Sequence, residues 1–428
     1  MITPGTATAP MPLRDRVPLV NGWLEKRIRE LLPRLMEEEE VDAWVVAGRE
    51  YNEDPILRTL LPRPMLNARR RTILLFFRRE SGQIEAISIC RYRVGTVYSD
   101  VWDPNLEDSW ECAARIIEEK CPDRIGINVS RLHGLADGMS ASELEMLRAA
   151  LPQHLHNRLI SAERLAIRWL ETRTTPELAV YPDIAALANG LIEKALSADV
   201  IHPGLSTTED VVWWLRQRIH EMGLVAWFHP TVTIQARDLQ WEDTSRDIIM
   251  PGDLLHCDMG LEYLGLCTDN QRHAYIPHPG EPEIPSDLRA LMGSANRLQD
   301  IVTSEFASGR TGNQVLYSAQ ARARLEGIEG SIYSHPLGFH GHAAGPAIGM
   351  WDNQDGVSGT GEIQIRADTC YALELSVKRS LPCWDNGEVR IALEEIIAFD
   401  GKHVKYLSER QTEPYMIIQS GTHGRGLP

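Results

Sequence analysis

Asp258-Met-Gly-Leu-Glu-Tyr-Leu-Gly-Leu-Cys-Thr-Asp269 is the stretch on which the reading of this chain turns. It reads as two short strands joined by a tight turn near Tyr263 and Leu264. In a hairpin centred there, Asp258 and Asp269 face each other across the ladder. Directly opposed side chains have β-carbons about 5 Å apart, and like charges at that distance destabilise the pair. A divalent cation between them reverses the sign of the interaction, and carboxylate pairs are a common way to hold such ions. An isolated pair of aspartates beside a turn is more often simply solvated, so the rest of the chain has to supply further ligands.

It does so in three places. His335-Pro-Leu-Gly338-Phe-His-Gly-His342 carries three histidines, His335, His340 and His342. Two histidines seven apart can place one on a metal and leave the other free to hold or transfer a proton. Glu374 interrupts the apolar run Tyr371-Ala-Leu-Glu-Leu-Ser-Val377, and Glu394 and Glu395 interrupt Val389-Arg-Ile-Ala-Leu-Glu-Glu-Ile-Ile-Ala-Phe399. A buried unpaired carboxylate costs several kcal/mol, so such acids need a cation or a donor. For either strand acid alone, a salt bridge to Arg366, Arg379 or Arg390 is the ordinary alternative. Strand alternation turns one of Glu394 and Glu395 inward and leaves the choice between them open. Several acids and a histidine on separate strands suit two ions roughly 3.5–4 Å apart, bridged by carboxylate and water.

The remaining sequence is consistent with this and excludes other classes. The 60 acids outnumber the 44 lysines and arginines, giving a net charge of −16. That balance argues against a nucleic-acid or anionic-membrane partner, which needs a basic face. The seven cysteines are scattered without a CxxC pair, as in a reduced cytosolic protein. No signal-peptide pattern and no membrane-spanning run is visible, so a cytoplasmic location is expected.

At 428 residues the chain is long enough for two domains. A helix-like stretch, Trp23 to Glu39, precedes strand-like segments at DAWVVAG, Thr72–Phe77, Gln83–Cys90 and Arg124–Ser130. Helices are expected over Asp108–Lys120 and from a capping box at Ser140-Ala-Ser-Glu143. This is an α/β domain assigned to residues 1–168. Over residues 169–428, helices are expected from Thr174 (delayed or kinked by Pro182), from a capping box at Ser206-Thr-Thr-Glu209, after Pro285 and at Thr311. They are interleaved with the strands TVTIQ, DLLHCDMG, LCTDNQRHAYI, YALELSV and VRIALEEIIAF. That pattern indicates an α+β layer with an antiparallel sheet covered by helices.

The ordered set Asp, eleven residues on Asp, then His-x-x-Gly-x-x-x-His, then Glu, then Glu resembles the creatinase/prolidase/methionine aminopeptidase superfamily. Gly260, Tyr263, Gly265 and Arg272 match its pattern around the two aspartates. The resemblance implies a pseudo-twofold "pita-bread" catalytic domain. The α/β domain before it is similar to that of the Xaa-Pro aminopeptidase and Xaa-Pro dipeptidase branch. It implies two divalent ions, manganese first and cobalt or zinc as alternatives, held by Asp258, Asp269, His335, Glu374 and Glu394. The alignment favours Glu394 over Glu395. Glu374 is also implied to take the proton of the attacking water, and His342 to contact the scissile amide or the tetrahedral intermediate. Bridged between two such ions, a water loses its proton near neutral pH while the substrate carbonyl is polarised. The implied reaction is hydrolysis of the Xaa-Pro bond of short peptides or dipeptides, by a homodimer.

The departures lie on the substrate side. Leu375 and Ser376 follow Glu374 where Pro-Gly is usual, and Gln271 and His273 flank Arg272 where threonines are usual. The arginine usual two residues before the last glutamate is matched by Arg390, four before Glu394. The upstream substrate histidine falls at Trp241, with His229 as a substitute. Arg390, His229 and His342 are therefore the substrate-binding candidates. The departures keep open a creatinase-like amidohydrolase acting on a small non-peptide amide. A non-catalytic binding module is the third reading, and the retained ligand set argues against it.

Overall fold

The computed structural model describes residues 9–237 and 245–418. Two compact units emerge, one of Met11–Glu177 with Ala343–Gly345, the other of the described chain from Leu178 onward without that segment.

In the first unit, α1 (Leu13–Lys26) and α2 (Leu32–Glu38) form one helical run that begins well before Trp23. Its middle turn, Arg27–Leu31, is π-helical. Arg27, at the head of that turn, is buried and donates to Glu177 (2.9 Å) and to the Thr172 carbonyl (2.9 Å). After α3 (Pro55–Leu60), α4 (Ser109–Lys120), α5 (Ala141–Ala150) and α6 (Glu163–Glu171) surround a six-stranded sheet. Its strands are β1 (Ala43–Arg49), β2 (Arg71–Arg78), β3 (Ile84–Cys90), β4 (Ser99–Asp100), β5 (Ile125–Ile127) and β6 (Leu159–Ser161), in the order β4-β3-β2-β1-β5-β6. One face, with Val45, Ile73, Leu75 and Ile87, packs against Trp110, Ile117 and Leu147. On the other, Trp44 meets Phe76 and Trp169. Ser140 caps α5 as expected, but the returning half of the box is missing. The Glu143 carboxylate is instead buried against Arg49, Arg71 and the Trp110 indole.

Helix α7 (Thr175–Ala195), which belongs to the second unit from Leu178 onward, runs through Pro182 without the expected delay. The capping box of α8 (Thr208–Glu221) is Thr207 with Asp210, one residue beyond Ser206–Glu209. The strands are β7 (Val225–Ala226), β8 (Thr231–Gln235), β9 (Leu254–Met259), β10 (Leu261–Tyr263), β11 (Leu266–Cys267), β12 (Asn270–Tyr275), β13 (Gly330–Leu337), β14 (Thr369–Ser380), β15 (Glu388–Phe399), β16 (Val404–Tyr406) and β17 (Tyr415–Met416). The main sheet runs β13-β14-β15-β12-β9-β8, every neighbour antiparallel, with β16 and β17 added to it. The fold is α+β, as expected. Strand β13, which carries His335, was not among the expected strands because Pro336 interrupts the pattern. It is tolerated at the end of the strand order, where an N–H is dispensable.

Along β14 and β15, Leu373, Leu375, Val377, Val389, Ile391 and Leu393 pack on α9 (Ser286–Ser304) and α10 (Gly312–Leu325). Since side chains alternate, Glu374, Ser376, Ala392 and Glu394 project from the opposite face.

The hairpin of the decisive stretch turns at Leu264-Gly265, both with positive φ (59° and 79°), the conformation a two-residue turn between twisted strands demands. Tyr263 therefore pairs with Leu266, and Asp258 with Gln271. This corrects the expected opposition of Asp258 and Asp269, which are diagonal neighbours. Moving the turn by one position shifts the pairing by two residues, an even number. Both aspartates thus keep the same face, and the conclusion drawn from them survives.

Candidate metal centre

The register places one row of side chains across six strands: Tyr333 opposite Glu374, Glu374 opposite Glu394, Glu394 opposite Gln271, Gln271 opposite Asp258, and Asp258 opposite Thr231. Asp269, just before β12, and His335, near the end of β13, lean onto this row. Ligand atoms of Asp258, Asp269 and Glu394 lie within 4.8 Å of one another, and so do those of His335, Glu374 and Glu394. The five residues expected as ligands are thus brought together.

Their electrostatics are those of an unneutralised acid cluster. Burial, then Glu374, pushes the Asp258 carboxyl up to about 7. Burial, then the neighbouring acids, raises Asp269 and Glu394 well above the carboxylate range, and burial raises Glu374. Among the described residues no lysine or arginine pairs with Asp258, Asp269 or Glu394. Burial, then His342, brings His335 down to about 3, so its ring is neutral. Its Nδ1 lies 3.1 Å from the Pro336 carbonyl, which makes Nδ1 the protonated nitrogen and leaves a lone pair on Nε2. That Nε2 is 3.7 Å from Asp269 Oδ2 and 3.8 Å from Glu394 Oε1, too far for hydrogen bonds. His335 Nε2, Asp258 Oδ1 and Glu394 Oε1 are buried without any hydrogen-bond partner. Acceptor atoms aimed at one another in this way fit divalent cations, and the carboxylate/imidazole mix suits manganese, cobalt or zinc.

Glu394 and Glu395 are separated by strand alternation. Glu394 joins the cluster, whereas Glu395 points to the opposite face, where Arg272 (2.8 Å) and the Gln411 N–H (2.9 Å) bind it. His342 stands edge-on to His335 at 4.7 Å and is within 4.8 Å of the His335 and Asp269 ligand atoms. Arg390 lies on β15 on the Glu374 side of the strand, and its charge offsets part of the rise that burial gives the Glu374 carboxyl. His229 is not brought in: it is exposed, with Nδ1 3.2 Å from Arg216 and its ring against Trp213. It lies on the loop between β7 and β8, two residues before Thr231. Trp241 lies outside the described residues.

Two features escaped the sequence reading. Trp227 stacks edge-on to His342 at 5.2 Å and donates to the Thr268 carbonyl at 2.7 Å. A β-carbon on Gly260 would lie 2.0 Å from its indole nitrogen and one on Gly341 2.2 Å from its ring, so both glycines make room for it. The other is a polar group beside the acids, made of His256, Gln271 and His273. The only signal for it in the sequence is that Gln271 and His273 stand where threonines are usual.

Comparison with known proteins agrees with this geometry. The pattern of metallopeptidase family M24 matches residues 183–398, just over half of the chain. No curated protein matches. Among solved structures, an X-Pro aminopeptidase from Thermotoga maritima is similar with a TM-score of 0.65 at 15% identity, over 90% of this chain and 100% of that one. An Xaa-Pro dipeptidase from Bacillus anthracis has a TM-score of 0.63 at 16% identity, over 92% and 100%. A dipeptidase from Pyrococcus horikoshii has 0.62 at 18%, over 91% and 99%. At such identities the likeness establishes the shared pita-bread fold. With the family pattern over its sheet and helices, the chain belongs to metallopeptidase family M24.

Proposed function

We propose that this protein is a peptidase with a dinuclear metal centre that hydrolyses the Xaa-Pro bond of short peptides or dipeptides. The observation that carries the metal centre is the set of partnerless acceptors, His335 Nε2, Asp258 Oδ1 and Glu394 Oε1, within a buried group of four carboxylates. Asp258, Asp269, His335, Glu374 and Glu394 would hold the two ions, manganese first and cobalt or zinc as alternatives. Bound there, they supply Lewis-acid polarisation of the substrate carbonyl and a nucleophile at neutral pH.

The chain's own residues do the rest. Glu374, whose proton affinity is raised by burial, accepts the proton of the attacking water on its carboxylate. The His342 ring, whose pKa is lowered by desolvation, stands beside the cluster to donate to the oxygen or nitrogen of the breaking amide. Trp227 fixes the edge of that ring. Arg390 offers a positive charge for the substrate's carboxylate. Residues 169–428 would be the catalytic domain and 1–168 a creatinase-type N-terminal domain, in a cytoplasmic homodimer. Among the described residues no helix is long and apolar enough to cross a membrane.

A second reading, hydrolysis of a small non-peptide amide, draws on Gln271, His273, Ser376 and the displaced Arg390. Two measurements separate the possibilities. Purified protein is expected to bind two divalent ions per chain and to release free amino acid from Xaa-Pro dipeptides. Fewer than one ion per chain, with no gain on adding Mn2+, sinks the metalloenzyme. Activity confined to non-proline amides transfers the assignment to the second reading.

A further inference from the structure

The residue in the middle of the acid row is itself uncharged. Gln271 stands between Asp258 and Glu394 in the register. Its Nε2 donates to Glu394 Oε2 at 3.0 Å. With Glu394 ionised, as metal binding requires, the amide cannot be turned round, because its oxygen would then face a carboxylate oxygen. Gln271 Oε1 therefore points the other way, to His256 Nε2 at 2.9 Å. That nitrogen must carry the hydrogen, which sets the His256 tautomer.

His256 is in turn held by His273, its cross-strand partner, with ring centroids 5.0 Å apart. His273 has no freedom of its own: Nδ1 donates to the Leu255 carbonyl at 2.9 Å and Nε2 accepts from the Ala392 N–H at 3.0 Å. A chain of contacts thus runs from the sheet backbone through His273 and His256 to Gln271 and on to Glu394. At its end, one oxygen of Glu394 is occupied by the amide. The other, Oε1, is the partnerless atom 3.8 Å from His335 Nε2.

We propose that Gln271 is a positioning residue of the metal centre, which occupies one oxygen of Glu394 and presents the other to the ions, and that His256 acts through it. The proposal rests on the metal-centre reading above. Partners of this kind, one bond removed from the ligands, typically change metal affinity by about 10–100-fold when lost. The experiment is titration of the metal-depleted full-length protein with Mn2+, for the parent, Gln271→Met, His256→Phe and the double variant. Methionine keeps the length of the side chain and removes the donor.

Gln271→Met is expected to raise the Kd for Mn2+ by roughly 10–100-fold. His256→Phe is expected to raise it less, and to add nothing in the Gln271→Met background, since coupled residues are not additive. A merely structural role would leave the two effects additive. A Kd for Gln271→Met equal to the parent's, or full additivity, overturns the proposal. Where Gln271→Met fails to fold, His256→Phe decides: a raised Kd supports the coupling and an unchanged one overturns it. If the parent itself binds no Mn2+, Co2+ or Zn2+, the metal-centre reading has failed and takes this proposal with it. If the parent binds and the variants bind equally well, only the role of Gln271 falls.

Discussion

Glu177 in one unit and Asp269 in the other are both buried acids, and their surroundings are opposite in kind. Glu177 is wholly buried, yet its carboxylate is met by Arg27 at 2.9 Å and by the Thr174 N–H at 2.7 Å. Burial alone would raise its pKa, but Arg27 and Arg173 hold it below the usual range. Glu143 shows the same arrangement, with Arg49, Arg71 and the Trp110 indole. Asp269 has acids for neighbours and no described lysine or arginine paired with it, and burial with Asp258 and Glu374 drives it well above the range. These two buried acids of the first unit come with their own counter-charges. Asp258, Asp269 and Glu394 are assembled without one, and a bound cation would supply what is missing.

The largest expected effect tests that contrast at Asp269. Asp269→Asn should abolish metal-dependent peptidase activity and, in the metal-free protein, raise the melting temperature, because asparagine spares the fold the cost of protonating that buried acid. Calorimetry in the presence of a chelator measures the second part, and a lower melting temperature than the parent's would break the comparison. Glu177→Ala should act with the opposite sign on stability. It strands the buried Arg27 guanidinium and is expected to cost about 3–5 kcal/mol in denaturant unfolding, with Mn2+ affinity unchanged. A loss under about 1 kcal/mol would mean that Arg27 does not depend on Glu177.

Next in size is the pH dependence. In the metal-free fold the Asp258 carboxyl lies at about 7, above the roughly 3.9 of an unfolded aspartate. Between those values the folded state binds more protons than the unfolded one, so metal-free stability falls as pH rises through that window. Metal binding requires the deprotonated acids, so affinity rises over the same range. The gain in melting temperature on adding Mn2+ should therefore grow from acid to neutral pH, and a gain independent of pH would contradict the cluster's electrostatics. The smallest effect is expected at Glu395→Gln. Arg272 loses its buried counter-charge there, so stability should fall, but Mn2+ affinity, the quantity that ranks this change last, should stay at the parent's level. If Glu395→Gln lost metal and Glu394→Gln did not, the assignment of the two faces of β15 would be reversed.

Much of this was legible in the sequence, because the informative residues sit in local patterns. Acids that interrupt apolar strands, three histidines in a glycine-bearing run and two aspartates around a turn each announce themselves within a dozen residues. The α+β class followed from the order of helical and strand segments. What was illegible depended on neighbours distant along the chain. Glu143 looks like half of a capping box until Arg49 and Arg71 are beside it, and Gln271 looks like a substitution of no consequence until Glu394 and His256 are in view.

The sequence by itself therefore determined the candidate ligands of the centre, up to the choice between Glu394 and Glu395, and the face that Asp258 and Asp269 share, but not the strand that carries His335. Tertiary structure decided the rest. It moved the hairpin turn to Leu264-Gly265, turned Glu394 inward and Glu395 towards Arg272, left His229 in solvent, and set Gln271 between the acids. The physical reason is register. The period of two along a strand is written locally, whereas opposing Tyr333, Glu374, Glu394, Gln271 and Asp258 in one row requires five strands to pair at one alignment. That alignment is selected by the packing of the sheet's other face on its helices.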